Sequence, residues 1–150
     1  MEMSAVQVDA LRPDVPDPES TWRLDLEARP QVVSQARRFV REHAPPLTES
    51  TRGTLVLLTS ELVTNAVIHA RTTLQVCISV SPHFVLVTVF DLDLDLDLGR
   101  AEQAGDRNGG RGLGIVSALA DGYDLVRHVE GGKTAWFRLR RDGGNSGGGT

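Results

Sequence analysis

Three residues in "SELVTNAVIHA" have the types and spacing to do chemistry. Glu61, Asn65 and His69 stand four positions apart. At about 3.6 residues per turn, such positions lie nearly above one another on a helix. A helix here would stack a carboxylate, a carboxamide and an imidazole in one narrow stripe. The surrounding residues are mostly Leu, Val and Ala, so much of that helix is expected to be buried. Polar groups on a buried helix cost free energy unless something pairs with them. A bound metal with its ligand would be such a partner. The plainer alternative is the exposed face of an amphipathic helix, and His69 alone reads as an ordinary helix-end or core histidine.

A second group is "NGGRGLGIV". Gly109, Gly110, Gly112 and Gly114 permit tight turns and close backbone approach. The helix expected to follow offers free N–H groups and a positive dipole end, which together suit phosphate. The context differs from a dinucleotide-binding fingerprint, because no strand directly precedes the glycines. "EGGKT" imitates the close of a P-loop and is rejected. Arg127 stands where that pattern needs glycine, and the residues after Thr134 alternate as a strand does.

The third is "DLDLDLDLGR", residues 91–100. Counted as a calcium loop from Asp91, it places Asp93, Asp95 and Glu102 at ligand positions. The position that needs glycine for the sharp turn holds Leu96, and a strand precedes the stretch, so calcium is disfavoured. A longer strand or a solvated acidic segment remains. Asp91 continues the alternation of Val85, Val87 and Val89 and so belongs to their face of a strand.

The elements that would position these groups follow from periodicity. "TWRLDLEA" alternates as a half-buried strand. Pro30 suits a helix start, and Val32, Val33, Ala36, Phe39 and Val40 recur at helical spacing until Pro45 and Pro46. Arg37, Arg38 and Arg41 fall on the opposite face, either solvated or a dock for an acidic partner. The helix of the polar stripe spans 51–70, with Leu55, Leu58, Leu62 and Ala66 inward. Leu74 to Val80 and Phe84 to Phe90 form a hairpin turned by "SPH". A helix then carries Leu113, Val116, Leu119 and Ala120, with Gly122 as its cap. "YDLVRHV" and "KTAWFRLR" make a last hairpin. Five strands with short turns and three helices imply an α+β fold. It should be a two-layer sandwich, helices on one face of a mostly antiparallel (mixed) five-stranded sheet.

Residues 1–19 read as a disordered arm, 20–141 as the folded domain and 142–150 as a flexible glycine-rich tail. The 150 residues suit one domain, and a net charge of -4 gives no electrostatic case for nucleic acid or an anionic membrane. Cys77, the single cysteine, excludes a disulfide framework and reads as a buried small hydrophobe. No apolar run approaches the roughly 18 residues of a membrane span, so a cytoplasmic protein is expected.

The order "SELVTNAVIHA", an acid at a strand end, a variable segment, "GGRGLGIV" and "GKTAWFRL" resembles the GHKL ATP-binding fold. That Bergerat-type fold is shared by gyrase, histidine kinases and a heat-shock chaperone. The chain is most similar to the small bacterial anti-sigma factor serine/threonine kinases, over about Trp22 to Arg140. The resemblance implies ATP and Mg²⁺ as cofactors. Asn65 would ligate Mg²⁺ and Glu61 would be the general base. Gly110, Arg111, Gly112, Leu113 and Gly114 would surround the phosphates. Asp91 would bind adenine, with Thr134 beside it. The segment after Asp91 would take the place of the family's lid. Relatives read Asp-x-Gly-x-Gly from this point, where this chain has Asp93 and Asp95. Expected partners are proteins, a sigma factor or a small antagonist that becomes phosphorylated, with a homodimer open. The alternative is a non-catalytic module that sequesters a regulator.

Overall fold

A computed structural model describes residues 20–69, 73–91 and 110–141. In chain order the elements are β1 (Ser20–Glu27), α1 (Val32–His43), α2 (Glu49–His69), β2 (Thr73–Val80), β3 (Phe84–Asp91), α3 (Gly110–Leu119), β4 (Gly122–Arg127) and β5 (Lys133–Arg140). The strands form one sheet in the order β1-β2-β3-β5-β4. All four pairings are antiparallel. The arm at 1–19, the tail at 142–150 and the acidic stretch after Asp91 lie outside the described residues.

Local chemistry explains the boundaries. Ala44 precedes Pro45 and is extended at ψ 147°, since proline's ring disfavours a helical predecessor, and α1 stops there. The Thr48 hydroxyl accepts from the Thr51 backbone N–H at 3.1 Å, capping the entry of α2. Between β2 and β3, Ser81 ties both backbone groups of Phe84, closing the expected "SPH" turn.

The cross-strand register sorts the side chains onto two faces. Trp22, Leu24 and Leu26 of β1 face the same way as Leu74, Val76, Ile78 and Val80 of β2. Val85, Val87, Val89 and Asp91 of β3 continue that face, and so do Lys133, Ala135, Phe137 and Leu139 of β5. This face packs under the helices, and Leu55, Leu58, Leu62 and Ala66 of α2 join its apolar residues in one core. Each fully buried Leu or Val there contributes roughly 1.5–3 kcal/mol. α2 packs against both α1 and α3.

Two local expectations change. Gly122 is the first residue of β4, paired with Arg138, and does not cap the preceding helix. An added Cβ there would lie 2.9 Å from the Arg138 guanidinium, so close packing is what asks for glycine. Among the described side chains of α3 the buried apolar one is Val116, while Leu119 is exposed. Ala120 packs against the core just past the helix.

Candidate functional site

Helix α2 carries Glu61 and Asn65, one turn apart and both half-buried. Their neighbours Leu62, Val63 and Ala66 are buried in the core. Among the described residues neither the Glu61 carboxylate nor the Asn65 carboxamide has a hydrogen-bond or ionic partner. Ser60, just before them, accepts from Arg37 of α1 at 3.3 Å, which ties the two helices together at this level. His69 ends the helix, and its side chain lies outside the described ones.

Asp91 sits at the end of β3, and its residue is only 1 % exposed. It lies on the helix-facing side of the sheet, as the alternation of the three valines implies. Register places it between Leu74 of β2 and Lys133 of β5. Lys133 Nζ stands 2.8 Å from Asp91 Oδ2, an ion pair with the lysine side chain 14 % exposed. A carboxylate this deeply buried needs such a partner. Three residues separate α2 from β2, whose Leu74 is paired with Asp91, so the helix end that follows Asn65 returns to the same end of the strands as Asp91.

Thr134 is directly beside this pair in sequence but on the opposite face, opposed to Phe90. Its hydroxyl is 2.8 Å from His128 Nε2. The ring of His128 also leans on Phe90, with centroids 5.7 Å apart. Burial lowers the His128 pKa below 6.5, against the opposing pull of Asp91 and Glu130. Thr134 thus adjoins Asp91 along the sheet, but the group that meets the carboxylate is Lys133. Sequence reading passed over Lys133 and His128. The available signal was parity, since a residue opposed to Asp91 must share its face.

The turn between β4 and β5 brings its backbone against Asp91. Gly131 and Gly132 have φ of 113° and 86°, values that favour glycine. A Cβ on Gly132 would stand 2.6 Å from the Asp91 carbonyl oxygen. Glycine is required here by conformation and by space together.

The glycine box forms the first turns of α3. Gly110, Arg111, Gly112 and Leu113 are its first four residues, whose N–H groups have no acceptor within the helix. The side chains of Arg111 and Leu113 lie outside the described ones. Around Gly114 an added Cβ would meet nothing within 4 Å. This helix start carries the partial positive charge of the dipole and suits an anion.

The donor set fits Mg²⁺ held mainly by phosphate. Asn65 and Glu61 offer hard oxygen atoms, and Mg²⁺ usually takes one or two protein oxygens together with phosphates and water. Among the described residues no group of three or more His, Cys, Asp or Glu could hold a metal by itself. Asp91, the buried carboxylate at the end of β3, is paired with Lys133. Asp93, Asp95 and Glu102, which a calcium loop would need, lie outside the described residues. Among the described residues no helix is long and apolar enough to cross a membrane.

No curated protein matches the chain. A family model described as a histidine kinase-like ATPase domain matches residues 26–139. The match runs from the end of β1 to the end of β5 and takes in the polar stripe of α2, Asp91, the glycine box and the last hairpin. Helices on one face of an open antiparallel sheet, with those groups in that order, are the frame of an ATP-binding domain, and the chain belongs to the histidine kinase-like ATPase domain family.

Proposed function

We propose that this chain is an ATP-dependent serine/threonine protein kinase of the anti-sigma type, whose substrate is a small antagonist protein. The observation that carries the reading is the Glu61–Asn65 pair. A carboxylate and a carboxamide are half-buried one turn apart and lack polar partners among the described residues. A helix in a folded core keeps such groups at a cost unless a ligand compensates.

Asn65 would hold Mg²⁺, which when bound would supply charge neutralisation for the phosphates. The start of α3 would orient the phosphates through the N–H groups that have no acceptor within the helix. Asp91 would accept a hydrogen bond from the adenine amino group. Glu61 would accept the proton of the attacking serine hydroxyl. The serine oxygen then forms a bond to the γ-phosphorus as the bond to the departing ADP oxygen breaks. The exposed Arg38 and Arg41 of α1 offer a cationic face to an acidic protein substrate.

A non-catalytic module that sequesters a sigma factor is the second reading. Asp93 and Asp95 favour it, because they replace glycines that let backbone approach adenine. The deciding experiment incubates the purified chain with γ-labelled ATP and the small proteins it retains from a bacterial extract. Label on a serine or threonine of one retained protein supports the kinase. Retention without transfer, unaffected by ATP, supports the module and contradicts the kinase.

A further inference from the structure

We propose that Lys133 is a base-binding residue of the nucleotide site, donating to N1 of adenine while Asp91 accepts from the exocyclic amino group. This assignment rests on the nucleotide-site reading above. The two side chains are directly opposed across β3 and β5, on the sheet face under the helices. They meet at 2.8 Å, so an acceptor and a donor stand side by side. Thr134, the other polar candidate on β5, is turned to the opposite face and bonded to His128. It cannot serve a base on the helix side without breaking the sheet register.

Lys133 carries three N–H donors. Among the described residues Asp91 is the partner of its ammonium. At 14 % side-chain exposure, a cation with unused donors gains from an added acceptor. A carboxylate has two oxygens and about four lone-pair sites, so it can accept from several donors at once, Lys133 among them. Gly131 and Gly132 fix the turn that leads into Lys133, and Gly132 abuts the Asp91 backbone. The pair is therefore held from both strands.

The chemistry of the bases then decides which fits. Along its pairing edge adenine presents an amino donor next to the N1 acceptor, the complement of Asp91 beside Lys133. Guanine presents the reverse, a carbonyl next to an N1–H. In the same pose its carbonyl would face the carboxylate and its N–H would face the ammonium. Lys133 thereby adds selectivity that a carboxylate alone supplies less sharply.

The test titrates the full chain with Mg-ATP and with Mg-1-deaza-ATP, in which N1 is replaced by C–H. The wild type should bind the deaza analogue about ten- to a hundredfold more weakly, the loss expected for one bond to a charged donor. Lys133→Met should bind both nucleotides alike, with ATP weakened by a similar factor. Lys133→Leu, which likewise has no donor to offer N1, provides the same comparison where the Met variant melts early. Equal affinity of the wild type for both nucleotides overturns the assignment whatever the variants do. So does discrimination that persists without the lysine, or ATP binding that tightens in Lys133→Met, which would mark Lys133 as a competitor for Asp91. A wild type that binds neither nucleotide overturns the site reading, and this assignment with it.

Discussion

Glu61 and Asn65 were legible in the sequence because helical spacing is a local property. Four positions apart means one stripe, and the apolar neighbours place that stripe at the margin of the core. Asp91 was legible for a similar reason, since strand alternation ties it to three valines that are all buried. Lys133 was not, because its partnership depends on the register between β3 and β5. That register joins two strands far apart in the sequence, so parity alone does not say which residue of β5 stands opposite Asp91. Local position next to a threonine therefore misled, since a shift of one residue reverses the face. The residue-scale prediction concerns Glu61. Glu61→Gln keeps the shape and hydrogen-bonding reach but cannot take a proton at catalytic rates. Nucleotide affinity should change less than about threefold, while phosphotransfer to the protein substrate slows by roughly 10²–10⁴-fold. Single-turnover kinetics beside equilibrium titration separates the two; unchanged transfer would make Glu61 structural.

At the scale of elements, α2 and β3 matched their expected places because each carries an apolar face that must be buried. Leu55, Leu58, Leu62 and Ala66 are all in the core. The region around Gly122 was read differently, because glycine serves equally as a helix cap and as a small residue under a large neighbour. Only the position of Arg138 across the sheet distinguishes them. The stretch "DLDLDLDLGR" divides at its first residue: Asp91 completes β3, and residues 92–100 lie outside the described ones. The β4–β5 turn supplies the element-scale prediction. Gly132→Ala places a Cβ where φ is +86° and the nearest atom is a backbone oxygen at 2.6 Å. Backbone cannot yield as a flexible side chain can. The substitution should cost on the order of 1–3 kcal/mol and displace Asp91 as well. Chemical denaturation should show the loss, and nucleotide affinity should fall with it; a variant as stable as the wild type would contradict the strained-turn account.

At the scale of the whole molecule, helices on one face leave a sheet whose two sides do different work. The helix side holds the core and the Asp91–Lys133 pair. The other side holds the Thr134–His128 bond next to Phe90. Burial there lowers the His128 pKa in the folded state below 6.5. The unfolded chain then binds the proton more readily than the folded one. Its contribution to stability is present above pH 6.5 and is lost as pH falls through the lowered folded value. Thermal melts from pH 8 to pH 5 should show the wild type losing stability relative to His128→Gln on acidification; parallel curves would contradict it. The central claim is that the two helix-borne groups, Asp91 and the glycine-box helix together make a site for Mg-ATP. Titration calorimetry of Mg-ATP into the wild type and Asn65→Ala tests it most directly. The account predicts that the wild type binds with a Kd below about 1 mM and that the variant binds at least about tenfold more weakly, having lost a hard oxygen ligand for the cation. No heat of binding from the wild type with nucleotide at millimolar concentration, or equal affinity in the two proteins, would contradict it.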